Sequence, residues 1–154
     1  MAQSGPWLNW FKDKSFTTAW GDVNFPVWVE ILAPLRDQPL NILEIGSWEG
    51  RSAIFFLEYL PKSTITCIDT FEGNEEQAYE SLTENVKKLE DRFDANLANY
   101  ADRVKKIKGR SIPALDTLHQ EKQRFDIVYI DGDHRRNEVL MDSLLSWQMV
   151  KPAA

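Results

Sequence analysis

Residues 41–52 read Asn-Ile-Leu-Glu-Ile-Gly-Ser-Trp-Glu-Gly-Arg-Ser. The run Asn41 to Ile45 is short and apolar and closes on Gly46, which predicts a strand that stops at a tight turn. Ser52 to Leu60 follows with apolar residues at helical spacing and ends at Pro61, so a helix leaves the turn. The same alternation repeats downstream. Thr64 to Ile68 is β-branched and ends at Asp69. Arg103 to Lys108 and Phe125 to Ile130 are further strands, and helices are predicted over Ile112–Gln120 and about Arg135–Val150. From Asn74 to Tyr100, the residues Tyr79, Leu82, Val86, Leu89, Phe93, Leu97 and Tyr100 recur every three or four positions, the stripe of one long amphipathic helix. Four strand–helix units predict an α/β fold with a parallel, Rossmann-like sheet, in which ligands sit beyond the carboxyl ends of the strands.

Upstream, Pro26 suits a helix start, with Val27, Trp28, Ile31, Leu32 and Leu35 at helical spacing. Residues 1–24 form a separate aromatic segment carrying Trp7, Trp10, Phe11, Phe16 and Trp20. It reads either as an arm packed on the domain of residues 25–154 or as a lid beside a substrate. The chain has 154 residues, enough for one core, and a formal net charge of −6, which argues against nucleic-acid and anionic-membrane partners. No run approaches the ~18 apolar residues of a membrane span. Cys67 is the single cysteine, so no intrachain disulfide forms, and its apolar strand predicts a core position. A cytoplasmic protein is expected.

The strand ends carry the chemistry. Gly46 and Gly50 are four apart, and Glu44 stands where a dinucleotide fingerprint needs glycine for the approach of a pyrophosphate. A carboxylate there repels phosphate and suits an ammonium, while the amides around Ser47 and Trp48 and the Ser52 hydroxyl suit a carboxylate. A ligand with both groups is an amino acid or an amino-acid-bearing cofactor such as S-adenosylmethionine. Asp69, 23 residues past Gly46, is placed to accept from ribose hydroxyls, with Thr70 and Phe71 bordering an adenosine. Gly109-Arg110-Ser111 follows the third strand, where Ser111 either meets an adenine edge or caps the next helix. Asp131-Gly132-Asp133-His134 follows the fourth. Asp133 is read as the N-cap of the last helix or a metal ligand, and His134 as a proton acceptor or a partner of a neighbouring carboxylate.

Glu44-x-Gly46-x-x-x-Gly50, Asp69, Gly109-x-Ser111 and the run Phe125 to His134 resemble, in order, the motifs of class I S-adenosylmethionine-dependent methyltransferases. The phrases around Gly46, Asp69 and Asp131 are most similar to a branch of small, often metal-assisted O-methyltransferase-like proteins, over about residues 25–152. The resemblance implies methyl transfer from S-adenosylmethionine to a small-molecule oxygen acceptor. Glu44 would hold the ammonium directly or through water, the loop and Ser52 the carboxylate, Asp69 the ribose and Ser111 the adenine. Asp131 would lie at the transfer site, ligating Mg²⁺ in the metal-using branch, and His134 would take a proton. A non-catalytic S-adenosylmethionine-binding module is the alternative.

The family's sheet has seven strands in the order 3-2-1-4-5-7-6, and this chain supplies four before Lys151-Pro152-Ala153-Ala154. The domain is therefore expected to be incomplete at its C-terminus. The fourth strand would lie at an open edge, through which the chain would pair into a homodimer or aggregate.

Overall fold

Runs rich in Ile, Val and Thr form four strands: β1 (Asn41–Ile45), β2 (Thr64–Asp69), β3 (Val104–Lys108) and β4 (Ile127–Ile130). They are seen in a computed structural model that describes residues 5–73 and 86–152. Every pairing is parallel, as the sequence predicts, and the order is β3-β2-β1-β4, as the family resemblance implies. Helices α1 (Trp7–Trp10) and α2 (Phe25–Leu32) precede the sheet. Helix α3 (Arg51–Tyr59) joins β1 to β2, α4 (Leu89–Leu97) precedes β3, α5 (Ser111–Gln120) joins β3 to β4, and α6 (Arg136–Trp147) follows β4. The chain winds outward from β1 to β3 and then returns to pair β4 on the other side of β1. The loops after β1 and β4 thus part in opposite directions and leave a crevice between them.

Side chains of a strand alternate between faces, so each face has its own core. Ile42, Ile65 and Cys67 pack on one face under α3, α4 and the aromatic N-terminal segment. Leu43, Ile45 and Ile68 pack on the other with Ala114, Leu115 and Leu118 of α5 and with Met149. Phe55 of α3 is the hub of the first core. Its ring stacks on Phe25 at 4.4 Å and on Tyr59 at 5.7 Å and meets the edges of Trp10 and Trp28. Trp7 and Phe11 are buried in the same cluster. The N-terminal segment is therefore packed into this core rather than laid over it.

Two expectations are amended. Of the long helical stripe, residues 74–85, with Tyr79 and Leu82, lie outside the described residues. Val86 and Lys87 are helical, the chain turns at Lys88, and α4 then buries Leu89, Phe93 and Leu97, with Tyr100 following in a 3₁₀ turn. Helix α6 ends at Trp147 rather than Val150, because Met149 leaves the helix to fill the second core. Leu140, Leu144 and Trp147 share one side of α6, which faces solvent, and Asp142 and Ser146 face inward.

Past α6 the chain runs beside the start of β4. Phe125 N–H donates to the Met149 carbonyl and Lys151 N–H to the Phe125 carbonyl, both at 2.8 Å, forming one parallel bridge between Phe125 and Val150. Along Ile127–Ile130 the paired strand is β1, and the opposite side is a sheet edge among the described residues. Among those residues no helix is long and apolar enough to cross a membrane.

Replacing Phe55 with Ala should cost about 3–5 kcal/mol, the usual loss for a large buried aromatic. Trp147→Ala, at a position 76% exposed, should stay within about 0.5 kcal/mol. Urea denaturation of the two variants checks both values.

Candidate functional site

At the end of β1 the backbone turns through Gly46 at φ +87°. A Cβ there would lie 2.3 Å from the Asp131 carbonyl oxygen and 2.4 Å from the Gly132 Cα, so only glycine lets the two strand ends touch. Gly46 N–H donates to the Ile68 carbonyl and Asp131 N–H to the Ile45 carbonyl, both at 2.8 Å, binding three strand ends together. Gly50, at φ +78°, starts α3, where a Cβ would press on Leu97 at 2.8 Å.

Between the glycines Trp48 also has a left-handed backbone, at φ +48°, as does Phe71 after β2, at φ +57°. Both strained turns are held by one side chain. Trp48 N–H donates to one Asp69 oxygen at 2.8 Å and Phe71 N–H to the other at 2.7 Å. Burial pushes the Asp69 carboxyl above its ordinary range, while these amides pull the other way. The Asp69 carboxylate thus builds the loop as well as facing the cleft.

Glu44 is fully buried on the first face of the sheet, beneath the loop. The Ser52 hydroxyl donates to one oxygen and the Cys67 thiol, at 3.5 Å, to the other. Burial pushes the Glu44 carboxyl up to about 7, against the lowering effect of those hydrogen bonds. Cys67 is fully buried, as its strand predicts, and its thiol is raised by burial and by the neighbouring Glu44.

The strand ends open into a cleft of about 860 Å³. It gathers Gly46, Ser47, Trp48, Ser52, Asp69, Thr70, Gly109, Ser111, Asp131 and His134 on its walls. Three of the sequence-predicted residues are elsewhere. Glu44 lies under the floor, Gly50 is turned toward Leu97, and Phe71 is buried against Phe93 at 5.1 Å. Ser111 is the first residue of α5, whose N-cap is Arg110, so Ser111 is not the cap. Its hydroxyl instead opposes the upward push of burial on the Asp142 carboxyl of α6.

Beyond β4, Tyr129 OH donates to Asp131 at 2.8 Å, and His134 Nε2 stands 3.8 Å from the other Asp131 oxygen. Asp133 does not cap α6, whose N-cap is Arg135. It accepts the Arg135 N–H at 2.8 Å and pairs with the Arg135 guanidinium, which holds its carboxyl below the usual range. Among the described residues no three His, Cys, Asp or Glu side chains are grouped to hold a metal ion.

Two parts of the wall lie outside the residues predicted to bind the ligand, although the first was read as an arm or a lid. The N-terminal segment contributes Thr18, Trp20, Gly21 and Asn24, with the Trp20 ring 6.0 Å from Trp48. It is moored by Glu49, fully buried and paired with Arg92, which accepts from Thr17 N–H at 2.7 Å and Thr17 Oγ1 at 2.8 Å. Asn96 bonds Ser15 in both directions at 2.9 Å, and Arg51 pairs with Asp22. The segment is thus both packed arm and cleft wall. Asp142 is the second addition. No signal in the sequence marks it, because the apolar stripe of its helix lies on the opposite side.

A family model described as a methyltransferase domain matches residues 43–154. The chain belongs to this methyltransferase family. Among solved structures, the domain superposes on MycE methyltransferase from the mycinamycin biosynthetic pathway, in complex with Mg, S-adenosylhomocysteine (SAH) and mycinamycin VI. The match has a TM-score of 0.59 at 21% identity and covers 94% of this chain and 35% of MycE. A SAM-dependent methyltransferase from Agrobacterium tumefaciens gives a TM-score of 0.60 at 12% identity, over 86% and 41%. Cofactor-bound Rv0187 from MTB gives 0.61 at 20% identity, over 96% and 60%. At these identities the likeness establishes the fold, and the methyltransferase domain spans about a third of the length of MycE. No curated protein matches the chain significantly.

The Glu44 carboxyl has a measurable consequence. Its folded value, about 7, lies above the ordinary 4.5, so the native domain holds a proton that the unfolded chain has released. Stability should fall as pH rises from about 4.5 to 7, by about 3 kcal/mol in all, and level off above. Glu44→Gln should flatten this profile. Urea melts at pH 5, 6, 7 and 8 test it, and a wild-type profile that rises over that range would refute the assignment.

Proposed function

We propose that the methyltransferase domain binds S-adenosylmethionine in this cleft and transfers its methyl group to a small-molecule oxygen acceptor. The observation that carries the reading is the Asp69 carboxylate. It stands on the cleft wall at the end of β2 and is bound through the Trp48 N–H to the glycine loop that starts α3. A ribose-holding acid and an anion-holding helix N-terminus are thereby fixed relative to each other. Two further features fit an amino-acid-bearing ligand without phosphate. The indole N–H of Trp48 is buried without a hydrogen-bond partner, and Glu44 brings an acid close beneath the loop.

When bound, the cofactor supplies a methyl carbon activated by an adjoining sulfonium. The Gly46–Gly50 loop receives its amino-acid end, shaped by the Trp48 amide on Asp69 and the Ser52 hydroxyl on Glu44, while the Glu44 carboxyl beneath the loop would favour its ammonium and Asp69 would accept from its ribose. His134 Nε2, 3.8 Å from Asp131 on the cleft wall, would take the proton of an acceptor hydroxyl brought to the cofactor's methyl group. The described residues do not complete a metal site, so no step is assigned to Mg²⁺. The exposed positions of Asp131 and His134 favour a second reading, a module that binds the cofactor without turning it over.

Calorimetry with SAH should show saturable binding, and Asp69→Ala should weaken it at least tenfold, the loss of a charged hydrogen-bond acceptor. NAD should not compete, because Glu44 stands where a dinucleotide needs glycine. An unchanged SAH affinity in folded Asp69→Ala would refute the ribose assignment. Release of SAH from S-adenosylmethionine in the presence of a panel of phenols and sugars separates the enzyme from the binding module.

The β4 edge and the exposed Leu140, Leu144 and Trp147 of the following helix support self-association of the isolated chain, its partner a second copy. Light scattering should give a mass above 17.9 kDa that rises with concentration. A monodisperse monomer overturns the idea.

A further inference from the structure

Trp20 opens the 3₁₀ turn Trp20–Asn24 on the cleft wall and is 62% exposed. A lone exposed apolar side chain on a loose segment is ordinary. This one is mounted from both sides. Upstream, Thr17 is fastened to buried Glu49 through both its N–H and its hydroxyl. Downstream, the Arg51 guanidinium donates two hydrogen bonds of 2.6 Å to Asp22, a bidentate pair. That guanidinium also lies over the rings of Phe11 and Phe16, at 4.2 and 4.6 Å, so the pair is packed as well as charged. The indole leans on Trp48 with ring centroids 6.0 Å apart, too close to admit a third ring between them. The rest of it is held open at a fixed position.

Among the described residues lining the cleft, Trp20 is the exposed large apolar side chain, while Ile45, Ile68 and Phe25 are buried. A flat aromatic ligand has two apolar faces and would find only one of them matched. The neighbouring wall is polar, with Thr18 and Asn24 on the same segment and Asp131, Asp133 and His134 beyond β4. Carboxylates accept and do not donate, so they suit a ligand with several hydroxyl donors. One apolar face of C–H groups and a rim of hydroxyls describe a sugar ring. The place fits an acceptor as well. On the cofactor reading above, the loops after β1, β2 and β3 are taken by the cofactor, and the N-terminal segment is not. That segment leads through α2 to β4, where the Trp28 ring meets Tyr129 at 4.9 Å and the Tyr129 hydroxyl donates to Asp131. We propose that the open face of Trp20 stacks on a sugar ring and selects a sugar hydroxyl as the methyl acceptor, an inference that rests on that cofactor reading. Only non-covalent contact is assigned to Trp20.

Labelling with 5-fluorotryptophan gives one fluorine resonance for each of the six tryptophans, and Trp20→Phe identifies that of Trp20. The SAH-loaded domain is titrated with the methyl glycosides of glucose, galactose, mannose, rhamnose and glucosamine, and with catechol as the phenolic comparison. At least one glycoside should shift the Trp20 resonance saturably and leave in place that of Trp147, which is also exposed but lies on α6. In Trp20→Ala the affinity for that glycoside, read by saturation-transfer NMR, should fall at least about tenfold, while SAH affinity changes less than about threefold. Trp20→Tyr, which keeps a stacking face, should restore most of the loss.

A wild-type Trp20 resonance that no glycoside moves overturns the inference whether or not the variants fold. So does catechol bound at Trp20 as tightly as the best glycoside, or an undiminished glycoside affinity in folded Trp20→Ala. An equal loss of SAH and glycoside binding in Trp20→Ala also overturns it, because Trp20 would then only brace the Trp48 loop. Wild-type domain that binds no SAH overturns the cofactor reading and this inference with it. Binding of SAH without a glycoside response overturns the inference alone.

Discussion

The backbone of Gly46 passes so close to the Asp131 carbonyl that any side chain there would overlap it, and the site depends on that approach. The contact fixes the end of β1 against the end of β4 at the point where the strand order reverses. Without it the Gly46–Gly50 loop would lift away from the Asp131–His134 segment, and the cleft between them would lose its floor. A single absent Cβ thereby lets a topological feature of parallel sheets become a cleft with a fixed floor.

Around that contact the domain places acids where water is excluded. Glu44, Glu49, Asp69 and Asp142 are each buried or half-buried, and each is handled differently. Glu49 has the Arg92 guanidinium and Thr17, and so serves as an anchor for the N-terminal segment. Asp69 is satisfied by two backbone amides of strained turns. Glu44 has a hydroxyl and a thiol and no cation, so its charge is only marginally favoured at neutral pH. Asp142 is raised by burial and keeps an oxygen without a hydrogen-bond partner. The least compensated acids adjoin the cleft, where a cationic or amino-bearing ligand gains most from them.

The aromatic segment ties this chemistry to the core. Trp7 and Phe11 sink into the cluster around Phe55, and the chain then runs past Glu49 and Asn96 to set Trp20 beside Trp48. Loss of the Glu49 anchor would act on the cleft wall and on the packing of the segment together.

The sequence by itself determined the strands, their parallel arrangement and the glycine turns, while the resemblance to the methyltransferases supplied the strand order. Apolar runs closed by Gly46, Asp69, Gly109 and Asp131 are local signals, and parallel connections leave few topologies open. It also determined which side chains gather at the strand ends, since a parallel sheet brings all those ends to one side. Side-chain direction across elements was beyond its reach. Helical periodicity identifies the Leu140–Leu144–Trp147 stripe, but only packing against the second core turned that stripe outward and put Asp142 on the cleft. Nor does any local pattern couple Thr17 to Glu49 or Ser15 to Asn96, which are 32 and 81 residues apart. Those contacts form only when the chain closes on itself, and they decide which acids are buried and which remain free for a ligand.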